Sequence, residues 1–249
     1  MQYGICNLGI ISLRLETSHK SELVSQVLYG EIFKITEKRK HWSKIKLFDD
    51  GAVGWIDNKQ YQELSDTDFT NLSNTVKTYS IDLVEFVQDV NKQLIPITLG
   101  AAVHSCTHLG HHFEGNTIQG SSKKDDLIST SFMYLNTPYL NGGKTPFGID
   151  ASGFTQMVYK INGYELAREA CNQANQGEVL SFIEESEPGD LAFFDNQDGE
   201  IDHVGIILKD NYIIHVDGKV CVDRLDHSGI YSETLRQHTH KLRVIKKII

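Results

Sequence analysis

Three residues carry the chemistry worth weighing in this chain: the one that opens a helix at position 151, and the two histidines His203 and His215. In Gly148-Ile149-Asp150-Ala151-Ser152-Gly153-Phe154, Asp150 is a suitable helix N-cap and Gly153 lets another chain approach the first turn closely. Residue 151 then sits at the positive end of a helix dipole, where a thiol has a lowered pKa and is a stronger nucleophile at neutral pH. The residue present is alanine, which can do no such chemistry. His203 and His215 flank Lys209-Asp210-Asn211. A three-residue hairpin loop there sets residue 205 opposite 215 and puts His203 on the same face, one diagonal step away. Two imidazoles on one face supply a base for a cysteine nucleophile and a group that fixes the base's tautomer. Two ordinary histidines are the alternative, and a two-residue loop would put them on opposite faces.

The elements that must hold these residues are legible from periodicity. Leu127, Thr130, Ser131 and Tyr134 fall on one helical face, ending near Asn136-Thr137-Pro138. A glycine-rich loop, Asn141-Gly142-Gly143-Lys144, precedes a helix opening at Asp150, with Phe154, Met157, Val158 and Ile161 at helical spacing and Asn162-Gly163 as the stop. Beyond the turn Glu187-Pro188-Gly189-Asp190, strands are expected at 191–194, 203–208 and 212–216. The second half therefore reads as α+β, helices first and then an antiparallel sheet.

Residues 3–65 read as short strands with turns every 8–12 residues, a small barrel or sandwich. Residues 81–90 fit a helix or two strands, and 94–103 read as an apolar strand pair broken by Pro96 and Gly100. The segment Cys106-Thr107-His108-Leu109-Gly110-His111-His112 lacks two separated ligand pairs with zinc spacing and reads as a polar hairpin loop rather than a metal site. A metal-dependent hydrolase built on it would bring stoichiometric zinc with the purified protein.

Composition narrows the function classes. The 249 residues carry 24 Lys+Arg against 33 Asp+Glu, a formal charge of −9, which repels a phosphate backbone, so no nucleic-acid partner is expected. No apolar run approaches the roughly 20 residues that span a bilayer. The start lacks a basic leader with a long apolar block. Cys6, Cys106, Cys171 and Cys221 are scattered, which fits a reducing cytosol; a trimmed leader would instead place the protein in the periplasm or outside the cell.

Residues 123–249 resemble the NlpC family of papain-like cell-wall peptidases. The matching blocks are Tyr139-Leu140-x-Gly142-Gly143, Gly148-Ile149-Asp150-x-Ser152-Gly153-Phe154, Pro188-Gly189-Asp190-Leu191, His203-Val204-Gly205-Ile206 and Ile214-His215. Residues 1–65 resemble the bacterial SH3-like barrel that precedes such domains, with Gly54-Trp55-Ile56 as the best cue, and residues 66–122 are either a second, degenerate copy or a spacer. The fold class implied is an α+β papain-like domain preceded by all-β SH3-like barrels. The whole resembles murein-recycling members that cut the γ-D-glutamyl–diamino acid bond of peptidoglycan stem peptides with a free N-terminal L-Ala.

The resemblance implies that position 151 holds the nucleophilic cysteine in active members, His203 is the base and His215 its orienter, with no metal and no cofactor. Asp150 and Ser152 would hold the substrate's ammonium or backbone, Tyr139 would line the cleft, and Glu16 in the barrel would bind the free amine, packed against the catalytic domain at one end of the cleft. Ala151 departs from that pattern, as do Asn141 where tryptophan is common and Ala52 where tyrosine is. Cys171 lies where the family often has a small polar residue, and nothing in the sequence aims it at His203. Two readings of Ala151 follow: a working cysteine peptidase with its nucleophile replaced, or a natural non-catalytic protein that binds murein peptides or a protein partner.

Overall fold

The structure is a computed structural model and describes residues 2–120 and 123–249. Met1, and Ser121 and Ser122 at the expected domain junction, lie outside the described residues. The chain divides into two compact units: residues 2–120 together with Asn141–Pro146, and residues 123–140 together with Phe147–Ile249.

In the first unit, β1 (Gln2–Ile5), β2 (Ile10–Arg14), β3 (Leu23–Leu28), β4 (Ile32–Lys38), β5 (Trp42–Leu47), β6 (Val53–Asp57) and β7 (Gln62–Leu64) form one antiparallel sheet in the order β3-β2-β6-β5-β4-β1-β7. Period-two alternation sends Ile11, Leu13, Val27, Phe33, Ile35, Ile45, Leu47 and Ile56 into one apolar core. Gly54 is required by a close approach. A Cβ there would lie 2.8 Å from the Arg14 carbonyl oxygen, where Arg14 pairs with Trp55.

Residues 66–120 add α1 (Asp66–Asn74), β8 (Thr78–Ser80), β9 (Val84–Gln88), β10 (Leu94–Thr98), α2 (Cys106–Leu109), β11 (His112–Phe113) and β12 (Thr117–Gln119). Leu72, Val87, Ile97, Ala101 and Leu109 share a core with Ile5, Tyr29, Ile32 and Leu64 of the sheet. Three local expectations are corrected here. Residues 84–88 are a single strand; Pro96 lies inside β10 instead of breaking it; and the 106–112 segment is a helical turn closed by Gly110 at φ 69°, not a hairpin loop. Pro96 is tolerated because β10 pairs only with β9, at the edge of a three-stranded sheet.

Asn141–Pro146, carrying β13 (Lys144–Thr145), belongs to this unit. The Lys144 N–H donates to Gln26 Oε1 at 2.7 Å, and its buried Nζ lies 3.2 Å from Asp50 and 3.5 Å from Glu31. Asn141 donates to Glu22 at 3.2 Å.

The second unit contains α3 (Lys124–Met133), β14 (Gly148–Ile149), α4 (Ala151–Ile161), α5 (Ala170–Gln173), β15 (Glu178–Leu180), β16 (Leu191–Asp195), β17 (Ile201–Ile207), β18 (Tyr212–Asp217), β19 (Lys219–Asp226), β20 (Gly229–Ser232) and β21 (Gln237–Lys247). β16 to β21 pair in sequence order, and β21 pairs with both β20 and β16, so six strands close into a barrel. Ala192, Phe194, Ile207, Ile213, Leu225, Ile230 and Ile245 form one apolar cluster within it, and α4 packs along β17 and β18. Helices on an antiparallel sheet match the expected papain-like class; the closure into a barrel exceeds it.

The Pro188-Gly189-Asp190-Leu191 block is a structural clamp. Asp190 is fully buried, accepts from Lys124 Nζ at 2.7 Å and from the Glu187 N–H at 2.8 Å, and the Tyr159 hydroxyl donates to the Gly189 carbonyl. One turn thereby ties α3 and α4 to the head of β16. No helix among the described residues is long and apolar enough to cross a membrane.

Candidate active site

The helix start forms as its sequence dictates. Asp150 is extended, at φ −97° and ψ 173°, and its side chain accepts from the Gly153 N–H at 2.7 Å, so Ala151 is the first residue of α4 and is buried. Asp150 has several partners of its own. Its carboxylate is gripped by both Arg168 nitrogens, at 3.0 and 2.6 Å, and Arg168 also donates to the Ser152 hydroxyl at 2.9 Å. A carboxylate so occupied serves as a helix cap and ion-pair partner. Gln173 braces the same turn, donating to the carbonyls of Ser152 and Ala167 at 2.9 and 2.8 Å.

The histidine hairpin has the three-residue loop that the reading required. Ile206 pairs with Ile214 and Ile207 with Ile213, while Asp210 and Asn211 take left-handed φ values of 57° and 60°, which these short polar residues tolerate. That register sets Gly205 against His215. A Cβ at 205 would stand 2.9 Å from the His215 Cβ, so glycine is what leaves room for the imidazole beside His203. His203 Nε2 lies 3.0 Å from His215 Nδ1, and both rings are buried.

Beyond the two histidines stands a residue that sequence reasoning missed. Asp223 Oδ2 lies 3.2 Å from His215 Nε2, and that hydrogen bond holds the Asp223 carboxyl below the usual carboxylate range. The carboxylate takes the Nε2–H of His215, so His215 Nδ1 accepts from His203 Nε2–H, and the one lone pair left over falls on His203 Nδ1. Burial, then the neighbouring His240 and His215, lower the His203 pKa well below the ordinary value. The row therefore presents a neutral imidazole with a defined tautomer, which is what a general base requires. His203 shares a face of β17 with Gly205 and Ile207, and its ring lies 5.8 Å from that of Phe194, so the row adjoins the apolar cluster of Phe194 and Ile207, which accounts for the desolvation.

His240 stacks on His203 with ring centroids 4.0 Å apart, and burial lowers its pKa too. Cys221, opposite His215 on β19, places its Sγ 3.6 Å from His215 Nε2; burial pushes this thiol up to about 11, which keeps it protonated at neutral pH. Cys171 is exposed on α5. Asp217-Gly218 signals a hairpin after β18, but a two-residue turn there would set residue 220 opposite 215; the observed pairing centres on Gly218, joins Asp217 to Lys219 and so sets Cys221 opposite His215, with Asp223 on the same face. Arg168 and His240 had no such local signature.

Tyr139 is half exposed and its backbone bridges to Ile149 beside the Asp150 cap. Burial raises its hydroxyl pKa, with Asp150 adding to the rise. In the first unit, Glu16 is exposed after β2, its N–H bonded to the Ser21 hydroxyl at 2.9 Å, and Ala52 packs half-buried against the sheet core. The groups with metal-ligand spacing among the described residues are His203/His215/His240 and His215/Cys221/Asp223; the 104–112 segment is in neither.

Residues 136–239 match the NlpC/P60 family, and residues 13–60 match the bacterial dipeptidyl-peptidase SH3 domain. The chain thus carries a papain-like NlpC/P60 peptidase-family domain preceded by a bacterial SH3 domain. It is 26% identical over 232 residues to a γ-D-glutamyl-L-lysine dipeptidyl-peptidase of Bacillus cereus, covering 81% of this chain and 69% of that one. It is also 26% identical over 250 residues to dipeptidyl-peptidase 6 of Lysinibacillus sphaericus, covering 86% and 89%. A solved NlpC/P60 family protein from Bacillus cereus superposes with a TM-score of 0.80 at 17% identity over 99% of both chains, a likeness of fold.

Proposed function

We propose that this chain is a cysteine-peptidase scaffold that recognises the γ-D-glutamyl–diamino acid bond of peptidoglycan stem peptides with a free N-terminal L-Ala, and that with Ala151 it binds without cleaving. The observation that carries this reading is the ordered Asp223–His215–His203 row, whose two histidines lie on β17 and β18, the strands against which α4, the helix opened by residue 151, packs. The names of the relatives support the substrate class.

In this reading a thiol at position 151 gives its proton to His203 Nδ1. The thiolate attacks the γ-glutamyl carbonyl, and the first-turn N–H groups of α4 that the Asp150 cap does not take face the oxyanion. His203 then protonates the leaving amine, and water hydrolyses the acyl-enzyme. A methyl group at 151 removes the attacking atom and leaves the base in place.

The test is Ala151→Cys, assayed on L-Ala-γ-D-Glu-L-Lys and its diaminopimelate counterpart. The protein as it stands is expected to release no diamino acid and to bind the tripeptide in calorimetry. The Cys variant is expected to cleave it, since loss of a nucleophile costs on the order of 10⁴-fold or more. Silence in the folded Cys variant on both substrates would overturn the peptidase reading, and tripeptide binding by that same silent variant would favour a natural binding protein.

A further inference from the structure

The thiol beside the imidazole row has no part in the peptidase reading. His215 lies directly opposite Cys221 in the β18–β19 pairing, and Asp223 follows two residues on, on the same face. Their ligand atoms converge: His215 Nε2 to Asp223 Oδ2 is 3.2 Å, Cys221 Sγ to His215 Nε2 is 3.6 Å, and Cys221 Sγ to Asp223 Oδ2 is 3.8 Å. Around a tetrahedral zinc ion, bond lengths of about 2.0–2.3 Å place nitrogen and oxygen ligands roughly 3.4 Å apart and either of them roughly 3.6 Å from sulfur. The three observed separations fall within a few tenths of an ångström of that pattern without any movement of the backbone.

We propose that His215, Cys221 and Asp223 form a binding site for a soft divalent transition metal, zinc foremost, with water as the fourth ligand. Thiolate, imidazole and carboxylate together suit zinc and its cobalt substitute rather than calcium or magnesium, which take oxygen ligands. The Asp223 side chain is 18% exposed, so the ion has a way in and a water can complete the shell. On binding, the Cys221 S–H bond gives way to a sulfur–metal bond and the proton leaves to solvent. The His215 Nε2 proton is likewise displaced. His215 then carries its hydrogen on Nδ1 and donates it to His203 Nε2, the second ring orienting the ligand. The His215 Nδ1 proton is the one that His203 gives up from Nε2, and His203 takes a proton from solvent on Nδ1, where the free lone pair stood, which balances the one released from His215 Nε2. Metal occupancy and a base-competent His203 are therefore alternative states of one row. The neighbouring trio His203, His215 and His240 is less suited, because the His203 and His240 rings stack at an interplanar angle of 23° and do not aim at one common point.

Cobalt(II) added to the intact, reduced protein tests the site. One equivalent is expected to produce the intense visible absorption of tetrahedral cobalt together with a thiolate-to-cobalt band in the near ultraviolet, and zinc is expected to displace both. Cys221→Ser is expected to abolish the thiolate band, Cys106→Ser and Cys171→Ser to leave it intact, and His203→Gln to weaken cobalt binding by about 10- to 100-fold. In the unmutated chain, zinc is expected to slow alkylation of Cys221 and not of Cys171, read by mass spectrometry, which keeps the test independent of any variant's folding. A missing thiolate band, a band that survives in folded Cys221→Ser, or zinc-indifferent alkylation of Cys221 overturns the site.

Discussion

Two buried polar clusters in the second unit are built from similar parts and behave differently. At the mouth of α4, Asp150 is saturated by four donors: a guanidinium on both its oxygens, a backbone N–H and the Ser152 hydroxyl at 3.4 Å. Across β17, β18 and β19, Asp223 begins a row that runs through both nitrogens of His215, the first of them also approached by Cys221, to His203 Nε2. The saturated cluster fixes shape, because both charges are neutralised in place. The unsaturated one leaves a lone pair, and lone pairs do chemistry. Counting the bonds that an acidic residue already makes therefore says more than its charge: Asp150, the more conspicuous in sequence, holds a helix start, whereas Asp223 orders a row of imidazoles.

The largest expected effect separates the clusters by activity. In the Ala151→Cys background, His203→Ala is expected to lower kcat/KM for the γ-glutamyl tripeptide by about 10⁴-fold or more, with the melting temperature changing little by comparison. Retention of activity within tenfold would remove His203 from the role of base.

The next contrast is one of stability. Arg168→Ala takes the guanidinium from a buried carboxylate at a helix start, and is expected to destabilise the second unit by about 3 kcal/mol in urea unfolding. A cost below about 1 kcal/mol would mean that the Asp150 cluster is not the structural one. Asp223→Asn is expected to reverse the pattern. It acts through His215, one step further from the base than the orienting carboxylate of a Ser-His-Asp triad, whose amide replacement costs about 10⁴-fold. A loss of about 10²-fold in the Ala151→Cys background, with a displaced pH profile and near-unchanged unfolding, is the expected outcome. An unshifted profile would reduce Asp223 to a packing residue.

What the sequence made visible follows from the range of the forces involved. The α4 cap, the buried stripe Phe154–Met157–Val158–Ile161 and the β17–β18 register are set by neighbours a few residues apart, and each took the expected form. The misread segments are those where tertiary packing overrides local punctuation: Pro96 survives inside an edge strand, and Cys106–Leu109 becomes a helical turn because Cys106 and Leu109 reach a core shared with Ile5 and Tyr29. Lys144 is the sharpest case. In sequence it is one polar residue of a glycine-rich loop; in the structure it is almost fully buried between Asp50 and Glu31, carboxylates about a hundred residues away, and no local pattern encodes such a partner. The same holds for Arg168 and His240, which reach their sites from other elements.

The smallest expected effect concerns acid. Burial, with His240 and His215 alongside, holds the folded pKa of His203 well below the value of about 6.5 that it regains on unfolding. Below that unfolded value the unfolded chain binds a proton that the folded one refuses, so His203 contributes stability that is fully present above about pH 6.5 and is lost as pH falls toward the folded pKa. His240 shifts in the same direction through burial, opposed by Asp217, Asp202 and Asp223 nearby. Between pH 7.5 and 5.5 the urea-unfolding free energy is expected to decline by about 1.4 kcal/mol per unit of pH below 6.5 for His203 alone. His203→Gln, which cannot titrate, is expected to flatten that decline, whereas Arg168→Ala lowers the whole curve and leaves its slope unchanged. If His203→Gln and the unmutated chain lose stability in parallel, the acid sensitivity belongs to other groups, and the row is less dry than the contrast with the Asp150 cluster requires.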